Sequence, residues 1–109
     1  MPPVRVVLGL LTFGPPGSEP YGSRITDIKR FNELLDHYQE RGYSEVDTAR
    51  TYVNGLQEAF TREARWQQRG LSIATKWYPY EKGHHAKAMV KSQLEKSLAE
   101  LGTDSVSIF

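Results

Sequence analysis

Apolar residues along the chain follow two rhythms in turn, and their alternation suggests the architecture. Residues 4–8, 43–48 and 71–76 are short runs with β-branched side chains and read as strands, the first of them buried and stopping at Gly9. Ile28, Phe31, Leu34, Leu35 and Tyr38 recur on one helical face. Ser23 or Thr26 is placed to cap that helix, Asp27 complements its dipole, and Gly42 follows its last turn. Phe60, Ala64 and Trp66 mark a weaker helix over residues 58–68, closed by Gly70. Val90, Leu94, Leu98 and Leu101 give the clearest amphipathic helix, with Lys91, Glu95, Lys96 and Glu100 on its wet side and Gly102 at its end. Residues 105–109 begin a fourth strand.

The connections decide between architectures. Residues 9–22 hold four glycines and three prolines and read as a long loop, a feature more often functional than idle. Residues 77–85 form a second loop. The order β-loop-α three times, then β, demands parallel strands joined by crossover helices. Gly9-Leu10-Leu11-Thr12-Phe13-Gly14 is no G-x-G-x-x-G, which counts against a doubly wound dinucleotide-binding sheet. Asp47 and Lys76 fall at strand C-terminal ends, where barrels carry their functional groups. The expected fold is therefore α/β, the N-terminal half of a (β/α)8 TIM barrel with about four parallel strands and three helices. It forms one domain over residues 1–109, since a whole barrel takes about 250 residues. Half a barrel leaves the strands at Val4 and Ser105 as unpaired edges, an invitation to homo-oligomers or to a partner chain.

Composition narrows the partners. A chain of 109 residues with 39% hydrophobic and 25% charged residues can bury one core. Its formal net charge of +1, with no Lys/Arg cluster longer than a pair, argues against nucleic acid. The absence of cysteine excludes disulfides and thiolate metal sites and suits a reducing compartment. Residues 1–5 lack the features of a secretory leader, and residues 6–11 are too short to cross a bilayer. The expectation is a cytoplasmic protein with no membrane partner.

Candidate chemistry gathers at Asp47, Tyr52 and Lys76. A tyrosine hydroxyl titrates near 10, too high to release a proton readily at neutral pH. A neighbouring ammonium stabilises the phenolate, and a carboxylate keeps that ammonium charged and oriented. Tyr52 would then protonate a carbonyl oxygen while a reductant delivers hydride to carbon. No side chain donates hydride, so a nicotinamide cofactor must. Each residue also has an ordinary reading: a turn former shared with Thr48, a packing aromatic, a solvated lysine. Their joint placement at two successive strand ends is what points to chemistry. His84 and His85 sit in a polar loop without ligand-spaced partners and read as solvated, and His37 as a surface residue, so no metal is expected.

Asp47-Thr48-Ala49-x-x-Tyr52-x-x-Gly55 and Ala74-Thr75-Lys76 resemble the aldo-keto reductase superfamily. Gln57-Glu58, Ser92-Gln93-Leu94-Glu95-x-Ser97-Leu98 and Gly102-Thr103-Asp104-Ser105-Val106 resemble its aflatoxin-aldehyde reductase-like branch. The resemblance covers residues 4–109 and implies reduction of an aldehyde or ketone to an alcohol by NADPH. It makes Tyr52 the proton donor, Lys76 its activator, and Asp47 the support of Lys76 beside the nicotinamide ribose. It brings Gly9, Leu10 and Leu11 toward the cofactor and makes Trp77 and Phe13 walls of the substrate pocket. The family's fourth catalytic group, a histidine, lies just beyond Phe109, and its 2′-phosphate site lies in the second half of the barrel. Gln57 stands where the family commonly has serine. Two other readings accompany the enzyme: a non-catalytic half-barrel remnant acting by self-association or through a partner chain, and an NADPH-sensing subunit without turnover.

Overall fold

The computed structural model of the chain describes residues 4–109, so the expected leaderless start at residues 1–3 lies outside the described residues. Strands β1 (Val7–Gly9), β2 (Glu45–Asp47) and β3 (Ser72–Ala74) pair in parallel in that order. Helices α1 (Ile28–Glu40) and α2 (Gln57–Glu63) make the two crossovers, and α3 (Lys87–Leu101) returns the chain to Ile108, which bridges Ala74 in parallel. The alternation read from the sequence is present. The fourth strand, among the described residues, is that single bridge.

Register explains what each strand face does. Leu8, Val46 and Ile73 lie in one row across the sheet and turn toward the helices. The rows on either side, Val7 with Glu45 and Ser72, and Gly9 with Asp47 and Ala74, line an open cavity of about 380 Å³ on the other face. That period of two overturns the buried first strand expected over residues 4–8. β1 begins only at Val7, and Val7 is 46% exposed because its row faces the open side.

The core centres on Phe31, fully buried on α1 and stacked between Phe13 at 4.5 Å and Phe60 at 5.3 Å. Leu10, Leu35, Val46, Ile73 and Leu101 belong to the same buried apolar cluster. α1 is capped by Asp27, whose carboxylate accepts from the Lys29 N–H at 3.0 Å; Ser23, one of the caps expected, instead accepts a bond from the Ser18 hydroxyl at 2.7 Å. Leu34 drifts off the helix face and is 36% exposed. α2 stops at Glu63, well short of residue 68, because Arg65 takes a left-handed φ of 58°. The reversal turns Trp66 inward, where its indole N–H donates to the Leu101 carbonyl at 3.0 Å and ties α3 to the core. At the N-terminal ends of β1 and β2, the Tyr38 hydroxyl lies 2.6 Å from the Val6 carbonyl and 2.5 Å from the Glu45 carbonyl.

The long loop after β1 is a built element. Phe13 bridges Ile25, Gly14 N–H donates to the Ile25 carbonyl at 3.1 Å, and a short 3-10 turn runs over Glu19–Tyr21. With Phe31 at the centre of three stacked rings, Phe31→Ala should lower unfolding free energy by about 3–5 kcal/mol. Leu34→Ala should cost about 1 kcal/mol or less, since its side chain is already part-exposed. Urea denaturation of the two variants against wild type measures both.

Candidate active site

β2 and β3 end side by side, and the residues just past those ends converge. Thr48 N–H donates to the Ala74 carbonyl at 2.9 Å and Arg50 N–H to the Lys76 carbonyl at 2.7 Å, extending the ladder beyond the strands proper. Asp47 and Lys76 therefore sit on the same side of adjacent chains. Lys76 Nζ donates to Asp47 Oδ2 at 2.9 Å and to the Thr48 carbonyl at 3.0 Å. The same ammonium stands over the Tyr52 ring, 4.7 Å from its centroid, a cation–π contact rather than a linear hydrogen bond. The structure brings the acid, the amine and the phenol together.

Burial acts to weaken the protonated form of Lys76, and the contacts with Tyr52 and then Asp47 outweigh it, so the ammonium titrates above the ordinary lysine range. Tyr52 opens a 3-10 turn, Tyr52–Gly55, and the residue after it, Val53, has φ 54° and ψ 47°. A left-handed β-branched residue costs about 1–2 kcal/mol.

Behind the site lies a polar layer to which the sequence reading assigned no role. Gln57 and Glu58 open α2 and are fully buried. Gln57 Oε1 accepts from Thr48 Oγ1 at 2.6 Å and from Thr61 Oγ1 at 2.7 Å. Glu58 Oε2 accepts from Thr75 Oγ1 at 2.7 Å, and its Oε1 lies 2.8 Å from Arg50 Nη1. Arg50 Nη2 donates to the Gly55 carbonyl at 2.6 Å. Thr48 and Thr75 are the neighbours of Asp47 and Lys76, so the alternation that sends the catalytic candidates forward sends these hydroxyls back. Threonines beside two strand-end charges were the available signal.

The remaining candidates divide. Gly9 shares the open cavity with Asp47. Leu10 is fully buried, and its N–H is spent on the Asp47 carbonyl at 2.9 Å; Leu11 is 53% exposed. Phe13 is 6% exposed and belongs to the core stack. Trp77 lines a separate rim cavity of about 490 Å³ with Thr51, Asn54, Arg50 and His84, which none of the three central residues lines. His84 is not the solvated residue expected. Its ring packs against Trp77 and Tyr80 at 5.1 and 5.3 Å, its Nδ1 accepts from the Glu81 N–H at 3.2 Å, and its Nε2 is 3.3 Å from the Glu81 carboxylate. Among the described residues no group of three or more potential ligands could hold a metal ion, and no helix is long and apolar enough to cross a membrane.

A parallel sheet with crossover helices, carrying an acid, an amine and a phenol together just past its strand ends, has the architecture of a (β/α) barrel segment. The chain belongs to the aldo/keto reductase family, whose family model matches residues 5–109. It is 39% identical over 74 residues to the aldo-keto reductase pigE of Monascus ruber, covering 68% of this chain and 21% of that protein. With an aldo-keto reductase of Pseudocercospora fijiensis it is 38% identical over 80 residues, covering 70% and 27%. The chain thus spans well under half the length of both relatives. An aldo-keto reductase structure from Pseudomonas aeruginosa superposes with TM-score 0.75 at 27% identity, over 94% of this chain and 40% of that one. One from Klebsiella pneumoniae, in complex with NADPH, superposes with TM-score 0.69 at 24% identity, over 92% and 32%.

The raised Lys76 value has a definite sign. Stabilisation from its contacts is fully present below the unfolded lysine value, near 10.4, and is lost as pH climbs through the higher folded value. Asp47→Asn removes one of the causes and should bring the Lys76 titration down toward the ordinary value. Following the Lys76 side chain by NMR through alkaline pH measures this; an unmoved titration in the variant would take the ion pair out of the account.

Proposed function

We propose that this chain supplies the proton-transfer site of an NADPH-dependent carbonyl reductase that converts small aldehydes or ketones to alcohols once its barrel is complete. Within the family we place it in the aflatoxin-aldehyde reductase-like branch, on the segments at Gln57-Glu58, 92–98 and 102–106. One observation carries the reading: Lys76 holds Asp47 at 2.9 Å while standing 4.7 Å over the Tyr52 ring. Tyr52 gives its hydroxyl proton to the carbonyl oxygen, and the Lys76 ammonium stabilises the phenolate left behind. Asp47 keeps that ammonium charged and aimed.

NADPH, when bound, supplies hydride to the carbonyl carbon. The residues present fit it. Gly9 stands beside Asp47 on the open face, and a Cβ added there would meet nothing within 4 Å, so its backbone is free to be approached. Leu11 offers exposed surface, while Leu10 serves by anchoring the loop to Asp47. Trp77 forms a wall of the adjoining rim cavity, and Phe13 supports the loop from the core. A cysteine-free chain suits work in the reducing cytoplasm.

In the complete barrel, Tyr52→Phe should cut turnover by about two orders of magnitude or more while NADPH affinity stays nearly unchanged. Cofactor oxidation with an aldehyde, set beside a fluorescence titration of NADPH, separates the two quantities. Near-normal turnover would remove Tyr52 from the mechanism.

A further inference from the structure

We propose that Val53 and Gly14 are positioning residues for Tyr52, holding its ring against Lys76 through a left-handed turn clamped from the loop after β1. Its catalytic consequence rests on the function proposed above; the clamp itself does not. Val53 and Asn54 take φ, ψ of 54°, 47° and 51°, 37°. Asparagine tolerates that region, but for a β-branched residue it is an outlier, and such outliers persist only where the surroundings over-determine them.

The surroundings do so from three directions. Val53 is 2% exposed. Gly14 approaches so closely that a Cβ built on it would stand 2.8 Å from Val53 Cγ1, 2.4 Å from Ser23 Oγ and 2.6 Å from Ser18 Oγ. Gly14 cannot retreat, because its N–H donates to the Ile25 carbonyl at 3.1 Å, and the two serines beside it are buried and bonded to each other at 2.7 Å. On the far side, Tyr52 N–H donates to the Ala49 carbonyl at 3.2 Å, Leu56 N–H to the Val53 carbonyl at 3.0 Å, and Arg50 to the Gly55 carbonyl. The turn is pinned before and after Val53, and its isopropyl group is pressed from the first loop. A glycine at position 53 would reach the same angles freely and lose the clamp. The long loop thus acts on the phenol through Val53.

The test is a proton NMR measurement on the 109-residue chain with no cofactor or substrate present. The wild type should show a through-space cross-peak between the Lys76 Cε protons and the Tyr52 ring. The Trp66 indole N–H, bonded to the Leu101 carbonyl, reports the fold. In Val53→Gly the cross-peak should be lost while the Trp66 resonance stays in place, and Gly14→Ala should do the same. If Gly14→Ala does not fold, Val53→Gly decides alone, since it adds no atom. A cross-peak of wild-type intensity in Val53→Gly overturns the proposal. So does its loss together with a displaced Trp66 resonance, which would make Val53 an ordinary core residue, and so does absence of the cross-peak in the wild type. Failure of the Tyr52→Phe assay would leave this result untouched.

Discussion

A carboxylate with no exposed surface, Glu58, stands at the start of α2 behind the ends of β2 and β3, and the site depends on it. Taking a charge out of water costs several kcal/mol, so the group is tolerable only with partners that answer it. Thr75 donates to one oxygen and Arg50 faces the other. The Arg50 approach is a charge contact more than an aligned hydrogen bond, since neither Arg50 Nη1 nor Glu58 Oε1 gains a partner of good angle. Through Arg50 the same carboxylate reaches the Gly55 carbonyl that closes the turn of Tyr52, and through the Arg50 backbone it reaches the Lys76 carbonyl.

The visible trio, by contrast, does little to hold itself. Asp47 and Lys76 have side chains 38% and 49% exposed, and an ion pair of that kind is worth about 0–1 kcal/mol. An ammonium over a ring at a part-exposed site adds about 0.5–1 kcal/mol. Neither offsets a left-handed valine with much to spare. The geometry of Tyr52, Lys76 and Asp47 is therefore set by what lies behind and beside them: Glu58 and Gln57 on α2, the two threonines, and the loop carrying Gly14. A site arranged by its scaffold is preorganised for the proton transfer proposed for it.

Much of this was legible in the residue pattern, for a physical reason. Period two and period 3.6 are local properties, so Val46, Ile73, Phe31 and Leu35 declared their faces. Two charged residues at successive strand ends had to meet once the strands were parallel neighbours. What escaped was non-local. Phe13 sits in a loop rich in glycine and proline, yet that loop pairs back through Ile25 and drives the ring onto Phe31. α2 ends at Glu63 with no glycine or proline there, because Arg65 reverses to bring Trp66 inward. His84 has no ligand-spaced partners in sequence, but two aromatic rings from its own loop fold over it. Gln57 looked like an incidental departure and serves as acceptor for two threonines.

Amide hydrogen exchange in Glu58→Gln tests the central claim most directly. The Arg50 amide, bonded to the Lys76 carbonyl, reports the strand-end ladder, and the Leu35 amide inside α1 reports the domain as a whole. If the buried carboxylate holds the site, the substitution should reduce protection at Arg50 by about tenfold or more beyond any loss at Leu35. Equal losses at the two amides, or none at either, would show that Glu58 is not what keeps the phenol, the amine and the acid together.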